Sequence, residues 1–531
     1  MTGRVCSWAL AAAVAAALGA AAARSAGAAT ALSHAAQARL AAHESKRLVP
    51  LLREVLRFHT VQGDNGARDA QQAWLRKTAR ELGLVAREAG LVTEVELAGP
   101  AGAPVLGLVV HGDVQPVEEK AWRTPPFAGA LKKGLLIGRG AADDKGPLVQ
   151  ALLALAALKA AGTPLTHTVR LLVGSDEESD NLDLKQYLEG HAPPALALVL
   201  DADFPVTVGE KAWQALVVSA PPEATPRPGA ERFSFVIESI TAGLAASIVP
   251  DRATLALRWR GGAPDWKSLR SRLEAAVPDA GTRLLPFEER EGGAVLVIAA
   301  AGRSAHSGVN LAGGRNALVS LAHLLDGLLP PGPADDLLAF ARLAGQDAIG
   351  SGLGLTETDP VWGRTSVSAT LLQKGSKLPA KLVAAGQEAS DALLVNLRRT
   401  PPLTGAQLKA RLEDVVAAFN LKTGAHLVPG GYWDDEPLGF DPQAKLVRRL
   451  MQSYRRATGR DDPPAISGGG TYAKRLPNAI AFGMWFPDKP YPGHDVDESN
   501  PVADLELGTK ALLEAVVDLA CAPPLEEPFK R

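Results

Sequence analysis

The sequence predicts an α/β protein that carries an inserted α+β segment. Three observations lead there. The apolar runs PVLGLVVHGD (104–113), THTVRLLVGS (166–175) and ALALVLDAD (195–203) are continuous rather than alternating, as in strands covered on both faces. Helical patterns such as GPLVQALLALAALKAAG (146–162), closed by Gly162, lie between them. From about residue 210 to 430 the strands alternate instead, as in ATLALRWRG and DALLVNLRRT. Such strands suit half-exposed sheets with helices on one face. A chain of 531 residues is also too long for one ordinary core.

In chain order, residues 1–28 read as a secretory signal. Arg4 is followed by a run of Ala, Leu and Val and then by the small residues Ala26-Gly27-Ala28. The alternative is a retained membrane anchor, against which stand the alanine-rich run and Arg24 at its end. Residues 35–60 and 70–88 carry helical spacing. Residues 29–210 then form the first part of the α/β unit, 211–430 the insert and 431–531 the second part. That second part opens on the helix DPQAKLVRRLMQSYRRATG and continues into the strand NAIAFGMWF.

Composition excludes several classes. The net charge is −2 with both signs interspersed, which gives no footprint for nucleic acid. Beyond the first residues no stretch is long and apolar enough to span a bilayer, so no stable span is expected after signal cleavage. The two cysteines are Cys6 and Cys521. Removal of the signal leaves one, so neither a disulfide nor a cysteine-based zinc site is expected.

Ligands of open α/β sheets sit beyond the carboxyl ends of the strands. Here those ends carry His111-Gly112-Asp113, then Asp176-Glu177-Glu178, then Asp201, and after the last strand His494. Asp143 and Asp144 stand just before a helix. Each has a plain reading alone: a strand-end histidine, a helix cap, a solvated loop, a turn. Together, histidines and carboxylates without cysteine suit catalytic zinc, with manganese or cobalt as alternatives. Two ions need about five protein ligands, one a shared carboxylate. Neighbours in an extended chain project to different sides, so the adjacent Glu177 and Glu178 can serve different partners.

HGDVQPV, GRGAADDKGP, GSDEES, the aspartate of DADFP, GRSAH and the final GH together resemble the M20 metallopeptidases, most closely the dipeptidase V-type and carnosinase-like dipeptidases. The resemblance runs from about residue 45 to 520. It implies a zinc-exopeptidase-like mixed sheet flanked by helices, with an inserted lid domain of ferredoxin-like type, doubled. It also implies two zinc ions per chain. His111 and Asp201 would hold one and Glu178 and His494 the other, with Asp143 bridging and the Asp143–Asp144 peptide cis. Asp113 would orient His111, and Glu177 would be the general base. His306 would hydrogen-bond the scissile carbonyl, with Asn316 supporting its loop. The family's proline after this histidine is absent, and Gly308-Val309 stand in that neighbourhood.

Arg398 resembles the arginine that grips the substrate carboxylate; by alternation only one of Arg398 and Arg399 can face the cleft. Gly470 and Thr471 of SGGGTYAK would cradle the same carboxylate through backbone N–H groups. Ser247 stands where relatives often carry asparagine. The implied activity is hydrolysis of dipeptides or short peptides. The alternatives are an N-acyl amino acid deacylase with the same site and a peptide-binding protein without catalysis. The length of the insert favours a lid that serves its own chain, hence a monomer, and the signal implies an exported, periplasmic or secreted protein.

Overall fold

The computed structural model describes residues 35–525 apart from 281, 310, 402 and 431–432, so the signal expected at 1–28 lies outside the described residues. Two large apolar cores divide the chain. One gathers residues between Ala36 and Val208 and again between Leu438 and Ala520; the other lies between Leu216 and Leu427.

The first core surrounds a nine-stranded mixed sheet. Its middle runs Thr168–Gly174, Val105–His111, Leu196–Val199, Ala479–Ala481, and these four strands are parallel. Val85–Ala89 and Val92–Leu97 extend it antiparallel on one side, Thr207–Glu210 and Leu438–Gly439 on the other. The helix Lys145–Ala160 is buried from Lys145 to Leu158, which explains why it is apolar all round. Helices Ser45–Val55 and Val502–Ala520 pack against it.

Three expectations are corrected locally. The helix expected at 70–88 is Asn65–Glu81: the Asp64 side chain caps it by accepting from the Ala67 N–H, and Gly83, at φ 75°, turns the chain into a hairpin. The helix expected at 35–60 ends at Val55 and has a π-turn at Leu40–Glu44. NAIAFGMWF is two strands rather than one. Gly483 has φ 70°, and Met484–Trp485 leave the sheet to pair with Ala202–Asp203.

The second core holds a ten-stranded antiparallel sheet. Its long strands lie in the order Val295–Ala301, Arg252–Trp259, Phe235–Ala242, Ser366–Lys374, Asp391–Arg399, Ala212–Ala220. Helices Ala317–Leu324 and Pro333–Ala344 pack on it. Half-exposed strands were expected here, yet Asp391–Arg399 is buried at every position after Asp391. Leu393, Val395 and Leu397 belong to the helix-side core. On the other face Ala392 and Leu394 join a smaller apolar cluster with Leu371, Leu378 and Leu382. Helices thus cover one face, and this cluster, with a cleft beyond it, covers the other. Among the described residues no helix is long and apolar enough to cross a membrane.

Candidate metal centre

The parallel strands bring the expected ligands to one place. Register pairs His111 with Gly174, which sets the histidine beside the start of GSDEES. Asp201 follows the next strand, and the chain after Ala479–Ala481 returns with His494 at φ 66°. Asp143 stands between the two histidines. Its Oδ1 is 3.0 Å from His111 Nε2, and its Oδ2 is 3.2 Å from His494 Nε2. Glu178 Oε1 is 3.1 Å from His494 Nε2, and Asp201 Oδ2 is 3.8 Å from His111 Nε2. The Asp143–Asp144 peptide is cis.

Several residues that the sequence reading did not assign hold this arrangement. Asp144 is fully buried, and its Oδ2 accepts the His111 backbone N–H at 3.0 Å. Gln115 donates to Glu178 Oε2 at 2.8 Å. Asp183 accepts the N–H groups of Ser175 and Asp176 and the Tyr472 hydroxyl, which fixes the glutamate loop from below. Glu498, fully buried, accepts N–H bonds from Gly140, Ala142 and Asp143 and pairs with Arg139 at 2.7 Å. The short DVDESN segment around Glu498 has no periodicity that would have marked it.

Asp113 does more than orient His111. Its carbonyl oxygen lies 3.0 Å from His111 Nδ1, with its carboxylate at 3.5 Å. The carboxylate itself accepts the backbone N–H groups of Glu177 at 3.2 Å and Glu178 at 3.0 Å. One side chain therefore ties the histidine to the glutamate pair. Breaking a buried ion pair by removing one charge costs about 3–5 kcal/mol, because the other charge is left buried. Glu498→Gln is therefore expected to destabilise the protein by about 3 kcal/mol, read as a lower denaturation midpoint.

The donor set fits divalent cations. Two histidines face Asp143, Asp144, Glu178 and Asp201, and two overlapping groups, His111–Asp144–Asp201 and His111–Asp143–Glu178, bring one ligand atom each within 4.8 Å of one another. The carboxylates act on everything nearby. Burial opposes a charge on His494, yet Glu178 and Asp143 outweigh it and push its pKa up to about 10. Burial, and then Asp143 and Asp144, hold the Asp201 carboxyl well above its usual range. Burial, and then Asp201 and Glu178, do the same for Glu177. Such a crowd of negative charge in a poorly solvated site draws in positive charge. His494 Nδ1 and Asp144 Oδ1 are buried without a protein partner.

The second core supplies the other wall. The His306 ring lies 4.7 Å from the His494 ring, centroid to centroid, within the same chain. Its Nδ1 accepts N–H bonds from Gly308 at 3.0 Å and Val309 at 2.9 Å. That pattern assigns the proton to Nε2, which is left as a donor. Burial, then His494 and Arg398, hold the ring well below the usual histidine range, so it stays neutral. Gly308 and Gly468 approach backbone to backbone, and a Cβ on either would meet the other's carbonyl oxygen. Asn316 caps the helix Ala317–Leu324 and donates to Ala369 O at 2.7 Å.

Arg398 lines a cavity of about 530 Å³, together with Glu177, His306, Gly470 and His494. It is buried, and burial lowers its pKa to about 10. Its Nε donates to Asn396 at 3.1 Å and its Nη2 to Ser247 Oγ at 3.2 Å. Ser247, short as it is, thus reaches the guanidinium. Arg399 points to the other side, to Gln214 and Glu436. Thr471 departs from expectation. Its backbone N–H and hydroxyl both donate to the buried Glu210, at 3.0 and 2.8 Å, so they are not free for a ligand. Glu210 ends the strand Thr207–Glu210, 261 residues earlier in the chain, which is why the motif alone did not reveal it. Asp176 and Asp180 also gain partners. Asp176 accepts from Leu182 N–H, and Asp180 pairs with Lys381 at 3.1 Å.

A model of peptidase family M20/M25/M40 matches residues 107–518. The putative dipeptidase YtjP of Bacillus subtilis (strain 168) is 27% identical over 421 residues, covering 79% of this chain and 84% of that one. The Beta-Ala-Xaa dipeptidase of Lactobacillus delbrueckii subsp. lactis is 27% identical over 432 residues, covering 79% and 83%. Among solved structures, human carnosine dipeptidase 1 superposes with a TM-score of 0.55 at 14% identity, covering 92% of this chain and 98% of that one, a likeness of fold.

Proposed function

The chain belongs to peptidase family M20/M25/M40 and is a metallopeptidase of dipeptidase type; from that premise we propose that it hydrolyses dipeptides with a free C-terminal carboxylate, using two divalent ions and Glu177 as general base. The observation that carries this reading is the cleft itself. Its lining includes Glu177, Glu178, His306, Arg398 and His494, and the adjoining hollow adds Asp143 and Asp201, which supports the reading.

His111, Asp143, Glu178, Asp201 and His494 would hold the ions, zinc in the first instance, with manganese or cobalt as alternatives. Ions bound there supply Lewis acidity, lowering the pKa of a water and drawing charge from a carbonyl oxygen. The chain's own groups do the rest. Arg398, with the Gly470 N–H of the same cavity, takes the substrate carboxylate and so sets the scissile bond in register. His306 Nε2–H donates to the carbonyl oxygen as negative charge builds there. Glu177 takes a proton from the attacking water as the C–O bond forms. It returns the proton to the leaving nitrogen as the C–N bond breaks.

His306 acts on its own chain's cleft in this reading, and a monomer is sufficient. The support is its contact with His494 of the same chain. The deciding experiment is a panel of dipeptides against N-acetyl amino acids, run on the zinc-loaded protein. Faster turnover of N-acetyl amino acids would reject dipeptide specificity. We also propose export. The exported protein is expected to start just after Ala28 on N-terminal sequencing, and an intact Met1 on the exported protein would refute cleavage.

A further inference from the structure

The strand Asp391–Arg399 carries two chemistries on one face. Residues alternate sides along a strand, so Leu394, Asn396 and Arg398 share the face opposite the helix-side core. Toward Arg398 that face is polar; toward Leu394 it is apolar, where Leu371 and Leu382 pack and Ala246 joins them. Leu371 and Leu382 line the cavity. So does Leu244, a large apolar side chain that remains 51% exposed. The segment Leu244-Ala245-Ala246 leads directly into Ser247, whose Oγ is 3.2 Å from Arg398 Nη2. An apolar wall therefore abuts the guanidinium. Two of the cations that share the cavity have carboxylate partners: Arg475 pairs with Asp435 at 2.7 Å and Lys381 with Asp180 at 3.1 Å; a third, Lys377, stands exposed.

We propose that Leu244, Leu371 and Leu382 form the subsite for the side chain of the substrate's C-terminal residue, and that this subsite selects an apolar one. The inference rests on the reading that Arg398 anchors the C-terminal carboxylate. That carboxylate and that side chain leave the same Cα, so the group nearest Arg398 is the group that meets the wall. An apolar side chain there removes its own surface and that of Leu244 from water. A charged one loses hydration against leucines, and Lys377, exposed at the rim, offers an acidic side chain only a solvent-screened partner.

The test is kcat/KM for two dipeptide series, Ala-Xaa and Xaa-Ala, with Xaa as Gly, Leu, Phe, Asp or Lys. Ala-Leu and Ala-Phe are expected to exceed Ala-Gly by about tenfold or more, the scale of side-chain discrimination by an apolar pocket. Ala-Asp and Ala-Lys are expected to fall below Ala-Leu, and the Xaa-Ala series to be flatter. In Leu244→Glu, a change at a half-exposed position, the ratio of Ala-Leu to Ala-Gly is expected to drop about tenfold. A flat Ala-Xaa series, an unchanged ratio in the variant, or a preference that appears only in Xaa-Ala would overturn the subsite while leaving dipeptide hydrolysis standing. Failure to hydrolyse any dipeptide would instead remove the parent reading, and the subsite with it.

Discussion

Glu177→Gln is expected to lower kcat by a factor on the order of 10³ to 10⁴, the upper range for loss of a positioned general base. KM should change little, because the side chain meets the water and the leaving nitrogen rather than the substrate's anchoring groups. The bound metal should also persist, since Glu177 is not among the residues assigned to hold it. Metal content after dialysis separates this from Glu178→Gln, which removes a proposed ligand and should lose metal and activity together. The physical basis is the Asp113 carboxylate, which accepts the backbone N–H of both glutamates and fixes the direction of each. Burial, and then Asp201 and Glu178, hold the Glu177 carboxyl well above the usual range. Activity within tenfold of the parent enzyme would reject its role as base.

His306→Ala is expected to cost about 10²–10³ in kcat, the effect of removing one donor to a developing oxyanion. The two N–H bonds received at Nδ1 leave Nε2–H as the active donor and fix the ring direction. His306→Gln, which keeps an N–H donor, should recover part of the loss; a merely structural histidine would show no such recovery. Because the ring contacts His494 of its own chain, mixing His306→Ala with Glu177→Ala chains should give no activity. Recovery on mixing would show that the histidine serves a neighbouring subunit.

Much of this protein is legible in its sequence, for identifiable reasons. Buried parallel strands such as Val105–His111 and Thr168–Gly174 must be apolar throughout, so they stand out as continuous runs. The residues that follow them are polar for a purpose, which let six short motifs be named in order before the structure placed them around one cleft. Where the reading slipped, a local conformational event intervened: the positive φ of Gly483 broke one apparent strand in two, and the Asp64 cap moved a helix start.

The sequence by itself determined the fold class, the family and the residue types available for chemistry. These are properties of short segments: periodicity, strand-end polarity and motif order. Only the tertiary structure decided how the segments answer one another. It showed Glu498 holding the Asp143 loop across 355 residues of chain, and Glu210 taking the N–H and hydroxyl of Thr471 across 261. It showed Arg398 facing the cleft while Arg399 turns away, and the His306 ring resting against His494. The reason is physical. A buried polar group must find a partner, but the partner is set by proximity in space, which leaves no period or spacing in the sequence to read.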